Sequence, residues 1–296
     1  MARDGQVRGA VPYLLVTLAA LCWAGNHVAG RAIAGHVPPL AISTIRWAIP
    51  TLILLPFAWR HVTRDWPAIR AHWRALVLLA AIGGGLFGAL QYIGLQYTTA
   101  INVSVLNSLS PVLIAAAGAT LFGDRLTAMQ ALGLATSLTG VLVVVTKGTP
   151  AALAALAFNW GDLIIILNMA IFGIYSTCLR IRPGMHWLSY TLILSVVSTL
   201  VSLPFMIWEQ ASGYVLSATP LTLAAIGYAS IFPSLVANVA WNRGVEMLGP
   251  NRSGAMLHLV AVFSAVLSGV LLGERLETYH LVSFALIVGG VTLAAR

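Results

Sequence analysis

The sequence is a nearly unbroken series of apolar runs of about 20 residues, separated by short polar connections. A helix that crosses a bilayer needs about 20 mostly apolar residues. On that rule ten spans are expected: 11–33, 39–59, 74–97, 101–122, 128–146, 160–179, 187–208, 221–242, 252–272 and 278–295. Few folds are open to such a chain, because every backbone polar group in hydrocarbon must be satisfied within its own segment. The runs are apolar on most sides, as helices facing lipid and one another should be. Hydrophobic residues make up 59% of the chain and charged ones 8%, with mean hydropathy +0.91. A soluble domain carries about 25% charged residues, so no soluble surface can be built from this supply. The expected fold class is an all-α polytopic membrane protein, one integral membrane domain over 1–296 in contact with the lipid bilayer. The start of the chain, Arg3 and Arg8 before an apolar run from Ala10, resembles a signal peptide but reads as a retained first helix, since more spans follow.

The longest connection, 60–73, reads as an interfacial helix, with Trp66 and Trp73 beside Arg64, Arg70 and Arg74. Trp59, Trp160, Trp187 and Trp208 fall at expected span ends, where an amphipathic ring prefers the headgroup layer. The formal net charge is +8, yet no basic helix or compact basic patch points to nucleic acid, and no nucleic-acid partner is expected. Topology accounts for the excess. With the N-terminus on one side, twelve of the 16 Lys and Arg share that side, and Arg31, Lys147 and Arg275 lie on the other. Arg46 lies inside or near the second span. The asymmetry makes the arginine-rich side cytoplasmic, with both termini inside. Cys22 and Cys178 sit within apolar runs and read as packing thiols. Neither a metal nor a cofactor is expected.

A second pattern decides the architecture. Gly123-Asp124-Arg125-Leu126 follows one long apolar run, and Gly273-Glu274-Arg275-Leu276 follows another. Sliding 94–144 over 244–294 without a gap pairs Gly94 with Gly244, Leu109 with Leu259, Leu121 with Leu271, and Gly140-Val141 with Gly290-Val291. Roughly a fifth of the positions agree, spread along the whole window. Slightly shifted, Gly25 falls on Gly173 and Leu55-Pro56-Phe57 on Leu203-Pro204-Phe205. The reading is an internal duplication, repeat one at about 11–146 and repeat two at about 160–295. Each repeat holds five spans, an odd number, so the two must cross the membrane in opposite senses. Inverted repeats of this kind place a substrate site near the midplane between the halves, and exchange of conformation between the halves gives alternating access.

The stretch Leu21-Cys22-Trp23-Ala24-Gly25-Asn26-His27-Val28, with Pro38 and Arg46, resembles the opening of an EamA domain. The segment from Gly94 through Pro111 to Gly123-Asp124-Arg125-Leu126 and Gly133…Gly140 resembles its close, and 244–294 resembles a second copy. The chain is thereby identified as a member of the drug/metabolite transporter superfamily, and within it looks most like YddG-type exporters of aromatic amino acids. The resemblance implies ten helices around a central cavity lined by helices 1, 3, 4, 6, 8 and 9, with 5 and 10 packed at the back. It also implies export of amino acids and related metabolites across the bacterial inner membrane. Two positions depart from a mirrored pattern. Ala261 stands where repeat one has Pro111, and Leu194 stands where repeat one has Arg46.

Few polar groups lie deep in the spans, so each is a candidate for substrate contact. These are Trp23, Asn26 and His27 in span 1, Gln91 and Tyr92 in span 3, Asn107 in span 4, Asn168 and Tyr175 in span 6, Asn238 and Trp241 in span 8, and His258 in span 9. Asn168 and Tyr175 are seven apart and share a face. Ser234, Asn238 and Asn242 follow at i, i+4, i+8 beside Pro233. The same residue types also bond packed membrane helices to one another, and that alternative stays open for each. Asp124-Arg125 and Glu274-Arg275 read most simply as charged turns.

No Asp or Glu lies in the middle of a span, which disfavours a cation exporter and coupling through a deep carboxylate. A neutral or zwitterionic substrate fits better, with amides and hydroxyls for its head and Trp and Tyr for an apolar side chain. If protons are coupled, His27 and His258 are the deep titratable groups. The expected function is a secondary transporter exporting aromatic or large neutral amino acids, with a monomer sufficient. Alternatives are a carrier of another small metabolite on the same fold and an intramembrane hydrolase. A sugar-phosphate carrier would want deep cations, and the only lysine is Lys147 at a span end. A hydrolase could pair Ser108 with His258, but no Gly-x-Ser-x-Gly or His-Glu-x-x-His motif is present, so the chain is not expected to be an enzyme.

Overall fold

A computed structural model describes residues 9–32, 37–97, 106–149, 151, 159–214, 216–272 and 277–295. Among them the regular structure is entirely helical. In order, the elements are α1 (Val11–Ala32), α2 (Pro39–Ala80), a π-helical turn (Ala81–Leu86), α3 (Phe87–Tyr97), α4 (Ser110–Phe122), α5 (Ala128–Val145), α6 (Trp160–Cys178) and α7 (Trp187–Ala211). There follow α8 (Pro220–Ile231), a second π-helical turn (Phe232–Val236), α9 (Ala237–Leu248), α10 (Pro250–Met256), α11 (Leu259–Leu272) and α12 (Thr278–Ala295). Local chemistry marks the starts. Pro39 opens α2, where its missing N–H is of no consequence. Thr127 with Gln130 and Asn159 with Asp162 form capping boxes on α5 and α6. Gly123, at φ 70°, closes α4 in the left-handed region. The second charged turn, Gly273-Glu274-Arg275-Leu276, lies outside the described residues.

Among the described residues, 7 continuous helical stretches are long and apolar enough to cross a membrane, beside two shorter apolar helices, Val11–Asn26 and Ser110–Phe122. One of the 7, Pro39–Gln91, is 53 residues long. It cannot be a single span, and it is not straight. A Cβ on Gly84 would meet Trp47, and one on Gly88 would meet Ser43, so the stretch doubles back on itself as spans 2 and 3. The connection 60–73 stays helical, and the bend is sharpest at His72 (φ −121°, ψ 20°). Trp59, Trp66 and Trp73 are exposed along it. Large apolar side chains elsewhere face outward too, among them Phe57, Val270 and Leu281, as a lipid-covered surface requires.

Two expected spans are not single helices. Span 4 is interrupted by a turn at Ser108-Leu109 and span 9 by a turn at Leu257-His258. Each break tightens into i→i+3 bonds, Leu109 N to Leu106 O at 3.0 Å and Leu257 N to Gly254 O at 3.0 Å. Pro111 follows the first break, whereas the second has no proline.

The irregularities repeat with the sequence. The shift that lays Gly94 on Gly244 also lays the first π-helical turn on the second and the first break on the second. Contacts between the halves exchange in the same way. A Cβ on Gly94 of α3 would meet Ile165 and the Gly161 carbonyl of α6. One on Gly244 of α9 would meet Val16 and the Pro12 carbonyl of α1. At the back, α5 and α12 lie backbone to backbone. Gly133 packs on Gly290 and Ala294, and the Ser283 hydroxyl donates to the Gly140 carbonyl at 2.7 Å. Small residues let membrane helices approach this closely.

The second helices of the two halves, α2 and α7, clasp each other's starts. The Glu209 carboxylate at the end of α7 is buried and accepts from Leu40 N at 3.0 Å and Ala41 N at 2.7 Å. In return, Asp65 accepts from His186 N at 2.8 Å and the Ser189 hydroxyl at 2.7 Å, at the start of α7. Carboxylates at helix N-termini satisfy orphan N–H groups and match the helix dipole. His186 caps α7 and stacks on His61, with ring centroids 3.7 Å apart. Burial lowers the His186 pKa below its ordinary value; the nearby His61, Arg243 and Arg64 charges add to the depression and Asp65 opposes it. A histidine depressed in the fold stabilises it fully above the unfolded value, about 6.5, and that contribution is lost as the pH falls towards the folded value. The protein in detergent is therefore expected to melt at a lower temperature at pH 5.5 than at pH 7.5. His186→Asn keeps a cap acceptor and should flatten that part of the profile. An unchanged slope in the variant would show the pair to be silent.

Candidate functional site

The centre between the halves is an aromatic cluster drawn from both. Trp23 of α1 lies 5.5 Å from Trp241 of α9 and 6.2 Å from Phe172 of α6, ring centre to ring centre. Phe172 is 5.7 Å from Trp241, 5.3 Å from Phe87 of α3 and 6.2 Å from Tyr175. These are tilted and edge-on pairs, the geometry aromatic quadrupoles favour. Tyr175 and Trp241 are fully buried.

Amides surround the rings. Tyr175 donates to Asn242 Oδ1 at 2.8 Å, and Asn168 Nδ2 donates to Gln91 Oε1 at 3.0 Å. The second π-helical turn leaves the Pro233 carbonyl without its usual helical partner. It accepts from Trp23 Nε1 at 3.3 Å and from Asn238 Nδ2 at 3.0 Å. Three polar atoms of this centre are buried with no hydrogen-bonding partner among the described residues: Asn168 Oδ1, Asn242 Nδ2 and Trp241 Nε1. Nearly all buried polar groups in native proteins are bonded, so a cluster of orphans holding both donors and acceptors marks a place where a polar ligand can complete the bonding.

Of the residues singled out in the sequence, Trp23, Gln91, Asn168, Tyr175, Asn238 and Trp241 are drawn into this centre, whereas Asn107 sits half-buried at the break in span 4 and Asn26 half-buried on α1. The side chains of His27 and Tyr92 lie outside the described residues. His258 lies at the two helix breaks. Its Nε2 donates to the Ser108 main-chain carbonyl at 3.0 Å and its Nδ1 pairs with the Ser137 hydroxyl at 2.7 Å. It ties the two broken helices to α5, with both ring nitrogens engaged. Ser108 and His258 are counterparts under the repeat shift, so the pseudo-two-fold axis passes between them.

Phe87 and Phe172 complete the centre and were not singled out. The phenylalanines carry no signal beyond ordinary apolarity. Asn242, marked in the sequence by its i+8 spacing from Ser234, joins the centre through Tyr175.

At the arginine-rich end, a cavity of about 760 Å³ opens between the halves, bordered by Asp124, Arg180, Arg182, Val245, Glu246 and Asn251. Arg180 grips Asp124 through both guanidinium nitrogens, Nη1 to Oδ1 at 2.9 Å, joining the α4–α5 turn to the end of α6. Glu246 accepts from Arg182 at 3.2 Å and Arg243 at 3.0 Å. Leu179 and Val245 border the cavity one turn beyond Tyr175 and Trp241. One layer of side chains thus separates this vestibule from the aromatic centre.

Cross-packed repeats with matching bulges and breaks around a polar, aromatic centre have the construction of a multi-pass membrane transporter. The profile of the EamA-like transporter family matches residues 10–146 and again 159–296, and the chain belongs to that family. The transporter YyaM of Bacillus subtilis, named as uncharacterized, is 27% identical over 74% of this chain and 72% of its own. An uncharacterized transporter of Archaeoglobus fulgidus is 26% identical over 95% of this chain and 96% of its own. A probable terminal-alkyne amino-acid exporter of Streptantibioticus cattleyicolor is 28% identical over 80% of this chain and 75% of its own. A solved structure at 19% identity aligns with TM-score 0.79 over 96% of both chains, which shows a shared fold.

Proposed function

We propose that the protein exports aromatic or large neutral amino acids across the bacterial inner membrane by alternating access. The observation that carries this reading is the aromatic cluster ringed by orphaned amide and indole atoms between the two halves. Rings stack on an apolar side chain, and the free donors and acceptors suit a zwitterionic head. A relative named as an amino-acid exporter supports it. The arginine-rich vestibule is the cytoplasmic mouth, with both termini on that side, and parting the Leu179–Val245 layer admits substrate. Repeats at about 11–146 and 160–295 form one membrane domain, sufficient as a monomer. The hydrolase alternative loses ground, since His258 Nε2 is spent on the Ser108 main-chain carbonyl, and the hydroxyl that Nδ1 meets, Ser137, is fully buried out of a substrate's reach.

The test is uptake of labelled tryptophan, phenylalanine, threonine and alanine into proteoliposomes, with and without a pH gradient. Tryptophan and phenylalanine are expected to enter well ahead of threonine and alanine. No uptake of any of the four overturns the amino-acid reading. Stimulation by the gradient would bring His27 and His258 into the mechanism.

A further inference from the structure

We propose that Arg46 is the carboxylate-binding group of the transport site, an assignment that rests on the amino-acid reading above. Arg46 lies seven residues into α2, about 10 Å along the helix from Pro39, and is only 8% exposed. A buried cation at that depth in a membrane is expensive and is ordinarily retained for function. Its Nε donates to Ser234 Oγ at 2.9 Å, the one hydrogen bond the guanidinium makes among the described residues. No described carboxylate pairs with it. Asp65, Asp124, Glu209 and Glu246 are engaged elsewhere, Asp162 is bonded at the start of α6, and Glu277 is exposed at the start of α12. Its remaining N–H groups form the two-pronged donor set that fits a carboxylate.

The guanidinium also lies over the Trp47 ring, 5.7 Å from its centre, but that contact does not require a cation. The counterpart of Arg46 in the second repeat is Leu194, fully buried beside Trp47 and Ala80. The fold accepts an aliphatic side chain at this place in one half, so the guanidinium in the other half serves something besides the scaffold.

Position links the cation to the rings. Ser234 stands in the second π-helical turn and is fixed by its own donation to the Ala229 carbonyl at 2.8 Å. The residue before it, Pro233, presents the carbonyl that holds the Trp23 indole. The bulge therefore sets a charged anchor and an aromatic wall next to each other. A ligand with an anionic group close to a flat apolar group, such as an aromatic 2-amino acid, matches that spacing. The orphaned amide oxygen of Asn168 is an acceptor for its ammonium.

The experiment is counterflow of labelled L-tryptophan in proteoliposomes of the full-length protein, with competition by unlabelled L-tryptophan and by L-tryptophanamide, which lacks the carboxylate. In the wild-type protein the amide is expected to compete at least about tenfold more weakly, since a hydrogen bond to a charged group is worth about 1.5–3 kcal/mol. R46Q and R46L should raise the half-saturating tryptophan concentration about tenfold to a hundredfold and erase the preference for acid over amide. R46K should recover part of it. R46L guards against misfolding, because the second repeat buries leucine at the matching place. Wild-type protein that moves no amino acid overturns the reading of function and this assignment with it. Wild-type protein that treats acid and amide alike, or variants that keep the wild-type preference, overturn the role of Arg46 alone.

Discussion

Leucine in place of Gly290 is expected to leave little or no folded transporter, while leucine at the adjacent Gly289 is expected to be harmless. A Cβ at Gly290 would lie 2.6 Å from the Gly133 carbonyl and 2.8 Å from Ser137 Cβ, with the Ser137 backbone nitrogen closer still. These are chiefly backbone atoms of α5 and cannot rotate aside. Relief requires α5 and α12 to separate, and with them the seam where Ser283 bonds Gly140. Overpacking a core typically costs about 1–3 kcal/mol for an added methyl or two, and a leucine adds more. At Gly289 a Cβ would meet nothing within 4 Å. The check is the monodisperse yield of each variant on gel filtration in detergent, with a melting curve on what is recovered. A G290L protein that elutes and melts like the wild type would mean that the close seam is unimportant.

The second large effect is expected at Trp241. Replacement with alanine removes a fully buried indole whose neighbours are Trp23 and Phe172. Truncation of a buried aromatic costs about 3–5 kcal/mol when the site cannot collapse. Transport of tryptophan and phenylalanine should fall at least about tenfold, the loss of one stacking partner with its burial. Trp241→Phe should keep the fold and most of the transport. Trp160, exposed at the start of α6, serves as the control, and Trp160→Ala should leave transport unchanged. Equal transport by wild type and Trp241→Ala would remove the aromatic cluster from the pathway.

Hydropathy made the spans legible because lipid imposes the same demand on every one of them. The duplication was legible too, for a related reason. Close crossings demand small residues, and Gly94 with Gly244, and Gly140 with Gly290, stand out against a background of large apolar ones. Trp23, Tyr175 and Trp241 could be singled out because bulky amphipathic groups deep in a span are few. The rest depended on contacts that no local pattern encodes. Glu209 and Leu40 are 169 residues apart, and Asp65 and Ser189 are 124 apart. The break at Leu257-His258 carries no proline, and the π-helical turn at Ala81–Leu86 carries only glycines that read equally well as close-packing residues. Phe87 and Phe172 differ in no visible way from phenylalanines that face lipid. Arg46 was visible, but the topology count set it aside, and the role proposed for it rests on its burial and on its single hydrogen bond to Ser234, which the sequence does not show.

The contrast between Arg46 and Leu194 has a consequence for direction. Two identical subunits related by a dyad would present the same group twice, so a ligand at the axis would find no reason to prefer one orientation over its reverse. Joining the halves in one chain lifts that degeneracy. With a guanidinium on α2 and an aliphatic chain at the matching place on α7, the centre acquires a polarity along the membrane normal that the scaffold lacks. Under the alternating access proposed above, an asymmetric solute is expected to enter and leave with a preferred end foremost, which makes the inward and outward journeys chemically distinct.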